Sequence, residues 1–202
     1  MKRVMTRCTA VVLLVLVSQI PGCEPNDPGA GDGRTAHTPS DSSQPKDLGR
    51  GFVVEVGQMA PDVTLLYQDG RRQSLKDLRG QVVMLQFTAS WCGVCVREMP
   101  VIESEIWLPH KDKGLAVIGI DRGEPLVIVQ EFVKTTGITY PLTLNEDMKI
   151  YTQFAAANSG VTRNVIIDQQ GKIAFLTRLF DRQEFNEMKE VIQELLSTPA
   201  SG

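Results

Sequence analysis

Apolar and polar residues alternate with strand and helix periods from about residue 51 to residue 197. Two apolar runs, Gln81–Phe87 and Leu115–Ile120, contain few polar residues. Such runs are typical of strands in a parallel sheet that is covered on both faces. Val165–Asp168 and Lys172–Arg178 flank a Gln-Gln-Gly turn, so we expect these two strands to pair antiparallel.

A hairpin and several helices are predicted around these strands. Val63–Tyr67 and Arg71–Ser74 flank a Gln-Asp-Gly turn, and Ser74 can cap a short turn that ends at Leu78. One helix is predicted to begin at Cys92, and two more are predicted from Pro125 to Thr135 and from Met148 to Ala156. The last predicted helix is an amphipathic C-terminal helix that Asp181 can cap. This order of elements predicts a mixed α/β domain.

The chain divides into three parts by composition. Residues 24–50 contain four prolines among Gly, Asp, Ser and Thr, and Leu48 is their one large aliphatic residue. Such a stretch cannot build a core and is expected to act as a flexible tether, with ends separated by roughly 30 Å. We therefore predict a signal peptide over 1–22, a tether over 23–50 and one folded domain over 51–202.

The N-terminal segment has the pattern of a bacterial export signal. Basic residues precede Ala10–Val17, an apolar core that is too short to span a bilayer. The following Ile20–Cys23 resembles a lipobox, in which the cysteine becomes the lipid-modified N-terminus. Pro21 departs from the usual small residue there, and ordinary signal-peptidase cleavage nearby is the alternative. We expect lipid attachment at Cys23 and a domain that faces the extracytoplasmic side of the cell envelope, the periplasm.

The sequence Trp91-Cys92-Gly93-Val94-Cys95 carries the main candidate chemistry. It follows a strand and opens a helix, so Cys92 is expected among unpaired backbone N–H groups at the positive end of the helix dipole, which favour a thiolate. Cys95 lies one turn further along and can bond to Cys92 or release a mixed disulfide from it. We predict that Cys92 attacks and Cys95 resolves.

Other uses of two such cysteines are zinc binding and inert burial. A zinc site needs a second pair of ligands, and downstream of Cys95 the chain has no cysteine and one histidine, His110. If the lipobox is used, Cys8 is removed and Cys23 carries lipid, so the mature chain keeps one free pair. An exported protein with one such pair is better suited to disulfide exchange, a reaction for which we expect no cofactor and no metal.

The chain resembles the TlpA/ResA branch of thioredoxin-like proteins over most of residues 52–197. The residues that carry the resemblance are Gly57–Asp62, Asp69-Gly70, Leu75, Asp77–Gln81, Phe87, Trp91–Pro100, Val165–Asp168 and Gly171–Ile173. The resemblance implies a thioredoxin-like fold, a mixed central sheet flanked by helices with an N-terminal β-hairpin extension. It also implies membrane-tethered exchange with protein thiols or disulfides, with apocytochrome c maturation as a frequent task. An upstream electron donor in the membrane would be a further partner.

Four residues acquire roles from the resemblance. Glu98 matches a glutamate near the dithiol that could exchange protons with the cysteines and raise their pKa values; a solvated acid at a helix N-terminus is the alternative. Trp91 would cover the disulfide and contact clients, although packing alone could explain it. Gln86 stands where thioredoxin has a buried acid. Pro100 should kink the helix or, alternatively, end it early.

Two departures from the family pattern affect this assignment. Val94 replaces a common proline between the cysteines, which leaves the direction of electron flow open. Thr162 aligns with the family's cis-proline, and Val161 and Thr162 are the expected client-binding residues. A cis bond before a non-proline residue costs about 2.5 to 4 kcal/mol, so we expect a trans Val161–Thr162 bond. The Thr162 hydroxyl or the Arg163 guanidinium could then face the thiolate.

An exchange catalyst is thus the leading prediction, with two alternatives. A thiol peroxidase needs proline and threonine ahead of its cysteine, where this chain has Leu85 and Ala89. A copper carrier of the same superfamily normally needs wider cysteine spacing and a later histidine. The net charge of -3 supplies no basic surface, so no nucleic-acid partner is expected.

Overall fold

Residues 49–198 are described by the computed structural model; the signal segment, Cys8 and Cys23 lie outside this range. Its strands are β1 (Thr64–Tyr67), β2 (Arg72–Ser74), β3 (Val82–Thr88), β4 (Leu115–Asp121), β5 (Leu142–Leu144), β6 (Arg163–Ile167) and β7 (Ile173–Arg178). They form one mixed sheet in the order β2-β1-β5-β4-β3-β6-β7. β3, β4 and β5 are parallel, and the remaining pairings are antiparallel.

Helices connect and cover the strands. They are α1 (Gly93–Ile102), α2 (Leu108–His110), α3 (Leu126–Thr136), α4 (Lys149–Phe154) and α5 (Arg182–Ser197), with a 3-10 helix over Leu75–Leu78 and a π-helical turn over Glu103–Trp107. Pro100 lies inside α1, so an early helix end at this proline is wrong. Among residues 49–198, no helix has the length and apolar character needed to cross a membrane.

The thioredoxin-like α/β fold expected from the sequence is confirmed, including the hairpin and the antiparallel pair at the other edge. The capping residues Ser74 and Asp181 are also as predicted. β5 was not predicted, because three residues are too few to establish a strand period.

Alternate residues of β3 face opposite sides of the sheet. Leu85 and Phe87 belong to an apolar cluster that includes Phe52, Val54 and residues of α4. Met84 belongs to a second cluster with residues of α1, α3 and α5. The parallel centre of the sheet is therefore covered on both faces, as its apolar strands predict.

Strand pairing brings the candidate site together. β3 ends at Thr88, and the chain turns through three residues to Cys92, which precedes α1. Phe87 pairs with Arg163 across the antiparallel β3 and β6 strands. Thr162, which precedes β6, is therefore held beside the turn that leads into Cys92.

Replacing Phe87 with alanine is expected to lower the free energy of unfolding by about 3 to 5 kcal/mol. Phe87 is fully buried, and its ring lies 5.6 Å from the Tyr151 ring and 5.5 Å from the Phe154 ring, centroid to centroid. Urea unfolding of the oxidised protein measures the change. Val127→Ala on the exposed face of α3 is the control, with an expected change within about 0.5 kcal/mol; equal losses in both variants would contradict the assignment of Phe87 to the core.

Candidate functional site

Cys92 and Cys95 form a disulfide at the start of α1, with their Cα atoms 5.3 Å apart. Cys92 caps the helix, and its Sγ accepts a hydrogen bond from the backbone N–H of Cys95 at 3.2 Å. Cys92 is 7% exposed and Cys95 is fully buried. Cys92 is thus less exposed than the sequence suggested, yet it is the less buried of the two cysteines and its sulfur receives a backbone hydrogen bond.

The Thr162 hydroxyl lies against both sulfurs. Its Oγ1 is 3.1 Å from the Sγ of Cys92 and 3.3 Å from the Sγ of Cys95, and the residue is 2% exposed. The Arg163 guanidinium instead donates to the carbonyl oxygens of Gly51 and Gly160. The sequence left both the Thr162 hydroxyl and the Arg163 guanidinium as neighbours of the thiolate, and the structure places the hydroxyl at the two sulfurs. The trans Val161–Thr162 bond stays a prediction.

Trp91 and Val161 differ in what they offer to a client. The Trp91 side chain is 62% exposed beside Cys92, so packing alone does not explain this residue. Val161 is 4% exposed and belongs to the apolar cluster that contains Cys92, so it offers little free surface in the oxidised protein. A cavity of about 300 Å³ between the Cys92 turn and α3 is lined by Ser90, Val96, Ile128, Glu131, Phe132, Thr135 and Thr136.

Glu98 is buried beneath α1, with 1% of its surface exposed, so the solvated-acid alternative is wrong. Its Oε1 accepts from the side-chain amide of Asn164 at 2.7 Å, and its Oε2 accepts from that of Gln86 at 3.3 Å. Tyr140 donates its hydroxyl to Gln86 Oε1 at 2.6 Å, and the Asn164 amide also donates to Thr177 at 2.9 Å. The carboxyl is therefore part of a buried polar network that crosses the sheet.

Burial raises the pKa of Glu98 to about 7, against the two amide hydrogen bonds, which lower it. Burial also raises the pKa of Tyr140 well above its ordinary value, with a smaller contribution from the negative charges of Glu98 and Glu103. Tyr140 therefore stays protonated and can donate, whereas Glu98 changes charge near neutral pH. Glu98 lies one turn beyond Cys95 on the same buried side of α1.

Two further carboxyl residues, Glu124 and Asp121, support the turn before Cys92. Glu124 accepts hydrogen bonds from the Ser90 backbone N–H at 2.6 Å and from the Ser90 hydroxyl at 2.5 Å. Asp121, fully buried at the end of β4, accepts from the Glu124 backbone N–H at 2.7 Å. Burial and, to a smaller extent, the nearby Glu124 carboxyl raise the pKa of Asp121 to about 7, against the hydrogen bond from the Glu124 backbone N–H, which lowers it.

Sequence reasoning named Gln86 but missed Asn164, Thr177, Asp121 and Glu124 as residues of this site. Gln86, Asn164 and Thr177 are neighbours across β3, β6 and β7, a relation that only the strand register reveals. The available signal was an amide within an otherwise apolar strand, since buried polar groups require partners. For Asp121 and Glu124 the signal was their position at the end of the parallel strand β4 and just beyond it, where site residues of α/β proteins are common.

A metal site, the basis of the metal-carrier alternative, requires several ligands close together. His110 hydrogen-bonds through Nδ1 to the Ile106 carbonyl at 2.8 Å. Within residues 49–198, no three His, Cys, Asp or Glu side chains are placed so that they could hold a metal ion together.

The chain is similar to known proteins in both sequence and structure. Residues 56–176 match the AhpC/TSA family. The chain is similar to the thiol-disulfide oxidoreductase ResA of Geobacillus kaustophilus, with 31% identity over 121 residues that cover 60% of this chain and 68% of ResA. It is also similar to the solution structure of a candidate protein disulfide isomerase from Bacteroides thetaiotaomicron, with 53% identity, a TM-score of 0.71 and coverage of 73% and 94% of the two chains. A candidate DsbE thiol:disulfide interchange protein from Chlorobium tepidum shares the fold, at 23% identity and a TM-score of 0.62 over 71% and 99% of the chains.

Proposed function

The chain belongs to the AhpC/TSA family and is a ResA/TlpA-like thiol-disulfide oxidoreductase, and we propose that it exchanges disulfides with protein clients outside the cytoplasm through Cys92 and Cys95. The observation that carries the proposal is the disulfide at the start of α1, in which Cys92 caps the helix and is less buried than its partner Cys95. The helix terminus favours a thiolate at Cys92, which is the nucleophilic form of a cysteine.

The proposed reaction proceeds through a mixed disulfide. In the reductive direction, the Cys92 thiolate attacks a client disulfide, and one client sulfur leaves as a thiolate. The Cys95 thiolate then attacks the Sγ of Cys92, which closes the intramolecular disulfide and releases the second client thiolate. Two electrons pass to the client, and the same steps in reverse oxidise a client dithiol.

We assign Glu98 to proton exchange with the cysteines. Its carboxyl is buried, lies one turn from Cys95 and has a pKa of about 7, so it can accept or release a proton near neutral pH. Gln86 and Asn164 hold its two oxygens and fix the side chain beneath α1. Trp91, Val161 and Thr162 are the proposed client contacts.

A turnover assay tests the proposed activity and separates it from its alternatives. The mature protein should reduce insulin in the presence of a dithiol reductant, should not consume hydrogen peroxide at a comparable rate, and should bind no stoichiometric metal. Rapid peroxide turnover without insulin reduction would contradict the proposal in favour of a peroxidase. The reduction potential then gives the direction: about -270 mV favours a reductant of clients, and about -120 mV favours an oxidant.

We further propose apocytochrome c as a client class, since the resemblance to the TlpA/ResA branch implies it. An oxidised peptide with the sequence Cys-Xaa-Xaa-Cys-His should then be reduced faster than a matched peptide without the histidine. Equal rates for the two peptides would remove this client class while leaving general thiol-disulfide exchange intact.

The proposed location is the cell envelope, where residues 1–22 are removed, lipid on Cys23 anchors the chain, and residues 24–50 tether a domain that starts near residue 51. Mass spectrometry of the protein from a bacterial membrane fraction is expected to find a mature N-terminus at a diacylated Cys23. Cys23→Ala should release the protein from the membrane, whereas the control Cys8→Ala should leave it there. A retained Met1 or an unmodified N-terminus would contradict the anchor.

A further inference from the structure

Thr162 supplies a hydroxyl group at the reacting sulfurs. Because neither sulfur of a disulfide carries a hydrogen, the contacts at 3.1 Å and 3.3 Å have Thr162 as the donor. A disulfide sulfur is a weak acceptor, whereas a thiolate accepts a much stronger, charge-assisted hydrogen bond. The hydroxyl is therefore placed for a charge that develops only when the Cys92–Cys95 bond opens.

The surrounding contacts fix this hydroxyl in place. The Thr162 carbonyl accepts hydrogen bonds from the Leu179 backbone N–H at 3.1 Å and from Arg178 Nη1 at 3.0 Å. The next residue, Arg163, is fully buried and is bonded to the Gly51 carbonyl at 2.8 Å. Since the Thr162 carbonyl and the following residue are both anchored, little reorganisation is needed when a sulfur becomes charged.

We propose that Thr162 is a catalytic residue whose hydroxyl donates a hydrogen bond to the cysteine sulfur that carries negative charge at each step. This inference rests on the proposed disulfide exchange. A client thiolate attacks the Sγ of Cys92, the Cys92–Cys95 bond breaks, and its electron pair leaves with the Sγ of Cys95. The hydroxyl donates to that leaving thiolate, and it donates to Cys92 when Cys92 is the attacking thiolate in the reverse direction.

The position of Thr162 gives this chain a chemical group that a proline at the same place would lack. Proline has no side-chain donor and no backbone N–H. The threonine hydroxyl carries one proton and lies within reach of both sulfurs, so it can serve either sulfur without moving its backbone. Stabilising the thiolates favours the reduced form and makes the disulfide a stronger oxidant.

The test is a set of substitutions at position 162, measured on the mature protein. Thr162→Val keeps the shape and removes the donor, and Thr162→Ser keeps the donor. A charge-assisted hydrogen bond of ordinary strength is worth roughly a tenfold change. Thr162→Val should therefore raise the pKa of the Cys92 thiol by about one, lower the reduction potential by about 30 mV and slow reduction of the disulfide by dithiothreitol about tenfold.

Thr162→Ser should stay close to the wild-type protein in all three measurements, because it keeps the hydroxyl donor. If the methyl group of Thr162 were the important part, serine would instead be affected more than valine. If Thr162→Val fails to fold by circular dichroism, Thr162→Ala provides the donor-free variant. An unchanged thiol pKa and potential in a folded donor-free variant would overturn the inference. That outcome differs from failure of the proposed function, in which the wild-type protein itself would not reduce insulin.

Discussion

Replacing Cys95 with serine is expected to abolish turnover and to accumulate mixed disulfides between Cys92 and client proteins. Cys92, the less buried of the two cysteines, keeps its sulfur at the cap of α1, and the Cys95 thiolate that would release the client is gone. Loss of a nucleophile that a reaction requires lowers its rate by on the order of 10³-fold or more. Insulin reduction measures the loss, and gels run without reductant, followed by mass spectrometry, identify the trapped adducts.

The matched control is Cys92→Ser, which should be equally inactive but should trap no clients. The remaining Cys95 is fully buried behind the position of Cys92 and has no access to a client disulfide. If Cys92→Ser accumulates the adducts and Cys95→Ser does not, the assignment of the attacking and resolving sulfurs is wrong. The double variant gives the background of both assays.

The fold was largely predictable because its central strands are long and apolar. β3 and β4 have seven residues each, and the helices that follow them begin at recognisable turns. β5 has three residues and is held by pairing with β4 and β1, which no local pattern reveals. The π-helical turn after α1 likewise has no sequence signal of its own that a 3.6-residue period could detect.

The candidate site was predictable where chemistry follows spacing along one element. Cys92, Cys95 and Glu98 share a helix, so their relation is set by its period. Thr162 lies 70 residues further along the chain than Cys92, just before β6, and only the alignment with a family pattern placed it opposite the cysteines. The charge state of Glu98 was not predictable, because it depends mainly on burial of the carboxyl and, in the opposite sense, on the amides that β3 and β6 place beside it.

Replacing Glu98 with glutamine is expected to remove a pH-dependent contribution to stability. The pKa of Glu98 is raised from 4.5 to about 7 in the folded state, mainly by burial. The folded state therefore binds this proton more tightly than the unfolded state. The stabilisation is fully present below about pH 4.5 and is lost as the pH rises through about 7, a change of about 3 kcal/mol. Urea unfolding of the oxidised protein between pH 4 and pH 9 measures it.

Two control variants isolate this contribution. Asp121 also has a pKa of about 7, so Asp121→Asn should remove a separate part of the slope in the same pH range. Glu131 is largely exposed on α3, and Glu131→Gln should leave the slope unchanged. A Glu98→Gln variant with the wild-type pH dependence would contradict an ionisation of Glu98 near neutral pH.

The same substitution should change the chemistry of the reduced protein. A negative carboxylate one turn from Cys95 disfavours a thiolate, so Glu98→Gln should lower the pKa of at least one cysteine and shift the pH dependence of exchange. The absorbance of the thiolate during a pH titration reports the first effect, and insulin reduction across the same range reports the second. If the stability slope changes but the thiolate titration does not, Glu98 is a buried acid of the α1 packing, and proton exchange with the cysteines must use another group.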